Sequence, residues 1–419
     1  TVTARGTDAG VGAPDALGDA ALQIAAVGTT TTSTKTVGVS VAVSEFAVAI
    51  GVTIATTTLT DTVNATVDAS ALSATAGGVG VSSSRTADAE TTNVIVSIAL
   101  IAGAAGAGAQ TTSTVGGTSA AHVQNSATIS AVGALTVQAG TTARAAADTR
   151  GGGGAVLNID VLFSTATLSA STDAQINAAT VTAGSVAVIA TRGGVAGQVD
   201  TTYATVIIGS VSFLAGAAGS QVTALDDGLV QALITGGAVV NAAGAVVVTA
   251  SATTSTEAVN QGGAGSFVLA LSVGIVAATH SAGTTAAIGP DTGITAGSLT
   301  VQAAAVTPVT ANVFTLGIGL ATGAGAGVTA TSSGAVSASI GTTAGGTAPV
   351  NPRPVAVAGA VTVAAQVEQA ATTTNGGGAV GALAVGAIVA TAVVSGTSRA
   401  YLGDGTRLPA HEVVGQAVA

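Results

Sequence analysis

The ten residues from Ile294 to Ala303 read I-T-A-G-S-L-T-V-Q-A, and versions of this stretch return along the whole chain. Close copies end at Ala139, Ala190, Ala250 and Ala365, with a looser one, A-T-A-G-G-V-G-V-S-S, ending at Ser83. Each copy carries a turn glycine: Gly77, Gly133, Gly184, Gly244, Gly297 and Gly359, spaced by 56, 51, 60, 53 and 62 residues. A degenerate repeat of about 56 residues restricts the chain to architectures in which like units stack on one another. Inside each copy, apolar residues alternate with Thr, Ser or Gln, as Leu135, Val137 and Ala139 do with Thr136 and Gln138. That is the period of a strand with one buried face.

The pattern predicts an all-β chain: a parallel β-solenoid of degenerate repeats. A further short strand and turn precede each anchor, as in Ala287-Ile288-Gly289 and Ala338-Ser339-Ile340-Gly341. Three strand-like pieces per repeat fit a coil of ~19 residues, and at ~4.8 Å per coil the chain would form a rod ~100 Å long. No charge block or Pro-rich linker divides it, so one continuous array is expected, in units 1–36, 37–92, 93–149, 150–202, 203–261, 262–312, 313–374 and 375–419. The chain contains no Met, even at position 1, and is read as a fragment of a longer protein.

Composition narrows the function classes. Charged residues are only 7%, but hydrophobic residues reach 48%, which supports a buried core rather than disorder. A net charge of −10, with Lys35 and scattered arginines as the cations, argues against nucleic-acid binding, which needs clustered basic side chains. Cysteine is absent, so neither disulfides nor thiolate metal sites form. His122, His280 and His411 have no metal-ligand spacing and are expected at the surface or in turns. Asp226-Asp227-Gly228, Pro290-Asp291-Thr292-Gly293 and Gly403-Asp404-Gly405 would suit calcium turns, but match no calcium-loop motif, and Asp and Gly are ordinary turn formers. No cofactor and no catalytic site are expected. The connector pairs Arg5 with Asp8, Arg85 with Asp88 and Arg144 with Asp148 are read as exposed ion pairs at unit edges. Phe46, Phe163, Phe213, Phe267 and Phe314 are read as core fillers or stacks between coils.

One half of each unit is apolar on both alternating rows. Phe267, Leu269, Leu271, Val273 and Ile275 form one row, and Val268, Ala270, Ser272, Gly274 and Val276 the other; 380–394 repeats the pattern. A strand apolar on both faces is expected to be covered on both. The small-residue row, represented by Ala270, Ser272 and Gly274 and by Ala382, Ala384 and Gly386, is therefore the candidate surface for packing between chains. Asp at Ala270 and Gly274 should then abolish assembly and spare folding. The apolar runs Val94 to Ala109 and Ala379 to Val394, 16 residues each, fall short of the ~20 residues that a spanning helix needs. Aromatic residues, at 2%, are too few for the girdles of an outer-membrane barrel, so no membrane span is expected.

The combined pattern, A-x-[IL]-G, a short loop, [IV]-x-A-G-x-[LV]-x-V-x-A and then a Gly/Ala/Val stretch, resembles the repeats of large bacterial filamentous surface adhesins of the filamentous-haemagglutinin-like and leukotoxin types. The resemblance covers nearly the whole chain. It implies secretion, an extracellular or cell-surface location, an elongated parallel β-solenoid and a role in attachment or in a surface fibre. With the apolar halves it leads to the expectation of a structural subunit that self-associates into a filament. The alternative it implies is the stalk of a secreted adhesin that contacts host or glycan through regions outside this chain. The apolar halves are richer in Ala and Gly than in those adhesins, and the turns poorer in Asn and Lys, which favours the fibre.

Overall fold

The computed structural model describes residues 2–5, 8–12, 20–44, 46–100, 103–193, 199–341, 353–403 and 413–418. Among them the chain is all-β without a helix, in one sheet of 21 strands and another of 6. Neighbouring strands pair in parallel, apart from Val2–Arg5 against Asn64 to Val67 and Asp8–Gly12 against Gln23 to Val27.

The second repeat shows the plan. An outgoing arm, Gly78–Leu100, leads to a tip, and a returning arm, Ala104–Gln124, comes back. A short strand, Thr128–Ala131, then leads to the anchor Gly133. The next repeat lies directly on it: Val79 is paired with Leu135, Leu135 with Val186, Val186 with Val246, Val246 with Leu299 and Leu299 with Val361. The short strands stack into the 6-stranded sheet, and the arms form the larger one. Strands persist because inner and outer positions alternate along most of each arm and because Val and Thr favour the extended backbone.

The chain thus returns to the same place once per repeat of about 56 residues, not every ~19. The three pieces seen in the sequence are two long arms and one short strand of a single circuit. Seven layers at ~4.8 Å stand roughly 34 Å tall, in place of the ~100 Å expected, while each arm of some 22 residues extends roughly 70 Å. The unit junctions read from the sequence all fall within outgoing strands near one rung: Val37 pairs with Val94, Val94 with Arg150 and Arg150 with Ile207. The polar and apolar halves are two stretches of one strand.

The core changes character along the arms. Beside the anchors, three strands enclose a space filled by residues such as Ile129, Leu135, Val181, Ile234 and Leu299. Farther out, where two arms face each other directly, the buried residues are mostly Ala, among them Ala89, Ala107, Ala145, Ala204 and Ala258. Nearest the tip the cluster is Ala49, Ala99 and Ala105. Small side chains let the arms approach closely enough for hydroxyls to bridge them. Ser97 Oγ donates to the Ala49 carbonyl (2.7 Å), Ser113 Oγ to that of Ala89 (2.9 Å) and Ser164 Oγ to that of Ala147 (2.9 Å). One serine spans the gap only where the sheets lie nearer than the usual ~10 Å.

Candidate functional site

The six anchor glycines form one column. Gly133 N–H donates to the Gly77 carbonyl, Gly184 to Gly133, Gly244 to Gly184, Gly297 to Gly244 and Gly359 to Gly297, all at 2.7–2.8 Å. The column is tightest at Gly133 and Gly184, where a Cβ would stand 2.6 Å from the Gly77 carbonyl carbon and 2.6 Å from the Val132 carbonyl oxygen.

The small-residue row at Ala270, Ser272 and Gly274 faces the interior of this chain. Ala270 and Ser272 are 0% and 1% exposed, and a Cβ on Gly274 would meet the side chain of Asn260 at 2.1 Å. These three residues line the narrow gap between the arms, and Asp at Ala270 would put a charge into the core. The large row, Leu269, Leu271, Val273 and Ile275, points outward instead. Alternation defines two faces without saying which is inner, and close arms admit only the small one. Ala382, Ala384 and Gly386 are exposed, in the last described layer of the returning arm, where Leu383–Val394 pairs on one side with Ala321–Ser332.

On the outer surface of the returning arms, large and small residues alternate layer by layer. One ladder runs Val48, Ala104, Leu157, Ala215, Leu269, Ala321, Leu383; two residues farther on runs Ile50, Gly106, Ile159, Ala217, Leu271, Gly323, Val385. The outgoing arms alternate in the opposite phase from the second layer on, as in Ile98, Gly154, Val211, Gly265 and Ile318. Gly209 in the fourth layer and Val380 in the seventh depart from this. From the second layer on, Val380 apart, a ridge on one face therefore has a furrow behind it on the other. One furrow, about 690 Å³, has Gly152 and Gly154 as its floor and Val96, Ile98, Val211 and Phe213 among its walls. Another, about 420 Å³, lies over Ala104, Gly106 and Gly108 on the opposite face.

The tips add a rim of large apolar side chains. Phe46, Leu100, Phe213, Phe267 and Leu320 are exposed, and the rings of Phe213 and Phe267 stack at 5.6 Å. That stack joins adjacent layers as expected, but it and the outward Phe46, Phe163 and Phe314 fill no core.

Sequence reasoning missed a buried ion cluster at the inner end of the arms. Arg192 is fully buried, donating from Nε to Asp200 (2.8 Å) and from Nη2 to Asp226 (2.6 Å). Asp226 also bonds His280 Nδ1 (3.0 Å), and Asp200 accepts from the Ala143 N–H (2.8 Å). Arg85 is likewise buried, on Asp61 and the Gly116 carbonyl, rather than paired with Asp88 at an edge. Arg144 does serve an edge, but it reaches across a layer to Asp88 and Glu90 (3.3 Å each), while Asp148 pairs with Arg150. His280 is buried rather than at the surface, and His122 meets Asp173 at 2.8 Å. Spacing alone carries no sign of these partners, since Asp200 and Asp226 lie 8 and 34 residues from Arg192.

The cluster explains one turn considered for calcium. Both oxygens of Asp226 are engaged, and a Cβ on Gly228 would fall 2.0 Å from Arg192 Nη1, so the glycine makes room for the guanidinium. In the second turn, Thr292 Oγ1 donates to the Ile234 carbonyl (3.2 Å). Asp404, Gly405 and His411 lie outside the described residues. Among the described residues no group of three or more His, Asp or Glu side chains is placed to hold a metal.

Burial pushes Asp200 up to about 6, the charge of Arg192 notwithstanding. For Asp226 burial also acts upward, but Arg192 and His280 outweigh it and hold the carboxyl well below the usual range. Between about pH 4 and pH 6 the folded chain therefore holds a proton on Asp200 that the unfolded chain has released, and stability falls as pH rises through this window. In urea unfolding at about pH 4 and about pH 7, this loss is expected for the wild type and absent from its Asp200→Asn variant. An equal loss in both would exclude Asp200 as its source.

Among the described residues no helix is long and apolar enough to cross a membrane. Comparison with models of known protein families, with curated proteins and with solved structures gives no match.

Proposed function

We propose that this chain is a structural, non-catalytic body segment of an extracellular bacterial filament or surface fibre, built as one continuous, wide β-solenoid. The observation that carries this reading is the unbroken column of anchor glycines, hydrogen-bonded from Gly77 to Gly359. A chain that holds one register through every layer distributes load along the stack. The ionisable groups buried within the arms also serve the stacking. Arg85 holds Asp61, Arg192 ties Asp200 to Asp226, and Asp160 accepts from the Ala107 N–H of the layer beneath (2.9 Å) and from Asn158 (2.7 Å). Groups so committed brace the wall instead of waiting for a substrate. The adhesin-like repeat pattern agrees with a surface location.

Cryo-electron microscopy of the native material tests the proposal. Long filaments with a repeat near ~4.8 Å along the axis are expected. Short isolated rods would make the chain a stalk of a secreted adhesin, and particles without elongation would overturn both readings.

A further inference from the structure

The outer half of the arms is a blade, apolar on both faces and along its tip. In the described layers it measures roughly 26 Å by 34 Å, on the order of 900 Å² per face, against ~800 Å² per partner in a standard protein interface. Beyond Arg150 at its base, no described residue places a charge on either face. Gln110, Gln221 and Gln261 lie on the same basal rows, so the apolar area has a polar border, as protein interfaces do.

The relief of the two faces identifies what fits them. In the third layer the outgoing face has Gly152 and Gly154, and the returning face has Ile159 and Val161. In the sixth the arrangement is reversed, with Leu316 and Ile318 outgoing and Gly323 and Gly325 returning. A Cβ on the furrow glycines Gly154 or Gly325 would meet nothing nearer than 3.9 Å, so interior packing does not require these positions to be small. A copy moved sideways, without rotation or change of level, brings ridges over furrows of its neighbour from the second layer onward, except that Val380 meets the ridge of Leu383. Like faces brought together at one level set ridge on ridge, and sliding them by one layer leaves the end layers unmatched.

We infer that the partner of the blade is a second copy of this chain, the outgoing face of one seated on the returning face of the next at the same level. The contact is heterologous and, having no rotation to close it, continues from copy to copy. It bundles fibres side by side, and so rests on the fibre reading while being separable from it.

The absence of cysteine makes the test direct. Leu316 and Gly325 point outward from opposite faces of one layer, so their side chains diverge and cannot form an internal disulfide. A Cβ on Gly325 meets nothing nearer than 3.9 Å, so Cys is accommodated there. On mild oxidation, a mixture of Leu316→Cys and Gly325→Cys chains is expected to form mixed dimers, each variant alone few dimers, and the doubly substituted chain a ladder of multimers. Gly325→Leu, which fills a furrow without touching the interior, should weaken this cross-linking at least tenfold while circular dichroism stays unchanged. Self-linked Leu316→Cys dimers in place of mixed ones would overturn the inference, as would chains that stay monomeric or float with phosphatidylcholine vesicles. Long filaments lacking the 316–325 cross-link would sink it and leave the fibre reading intact; cross-linked stacks that never elongate would do the reverse.

Discussion

Arg192→Ala is expected to destabilise the folded chain by about 3–5 kcal/mol, because it leaves two carboxylates without their cation in a place water does not reach. Asp200 and Asp226 are both 0% exposed, and without Arg192 Asp200 keeps the Ala143 N–H while Asp226 keeps His280 and the Gly228 N–H. The loss should show as a lower denaturation midpoint at neutral pH and should shrink in acid, as Asp200 takes up a proton. Replacing Arg192, Asp200 and Asp226 together by apolar residues of similar size is expected to recover much of the loss, since a buried ion pair stabilises little over a well-packed apolar set. A single variant within about 0.5 kcal/mol of wild type would show that water reaches the site.

Gly133→Val should be the most damaging change on the anchor column. Its side chain would enter the backbone of the layer below, at 2.6 Å from Gly77 C and 2.9 Å from Gly78 N, where nothing flexible can yield. The hydrogen bonds from Gly133 to Gly77 and from Gly184 to Gly133 would be strained together. Overpacking and two weakened bonds amount to about 3 kcal/mol or more, read as a fall in thermal midpoint. Gly209→Ala is the matched control: nothing lies within 4 Å of its Cβ, and removing a strand glycine is expected to stabilise by about 0.5 kcal/mol. Equal losses at both positions would mean that the column has no special part in stacking.

Much of the fold is legible in the residues themselves. The glycines at 77, 133, 184, 244, 297 and 359 recur at the same place in each repeat, where the backbones of successive layers bond one to the next, and such a constraint leaves a sharp trace. Alternation of Leu135, Val137 and Ala139 with polar residues marks strands because each residue there has one environment. The circuit length is not legible, because a glycine can end a turn or pass unnoticed along an arm, as Gly151 to Gly154 do inside a continuous strand. Nor is the inner face of the apolar halves, where Ala270 and Leu271 are equally uncharged and only the distance between arms decides which is enclosed. The buried ions are the least visible. Their partners are set by how the arms close on one another and stack, and a lone Arg192 reads the same whether it ends in water or between two aspartates.

The opposite phases of ridge and furrow impose a parity on the array. Removing one layer would leave every backbone ladder able to close, since all layers share the same register. All the relief beyond the cut would nevertheless change sign, setting Ile98, for instance, against Val211 with no Gly154 between them. Removing two layers would leave the relief unchanged. Backbone pairing thus counts in ones and the surface counts in twos, so an array that lengthens or shortens while keeping its relief must do so by pairs, in steps of about 112 residues.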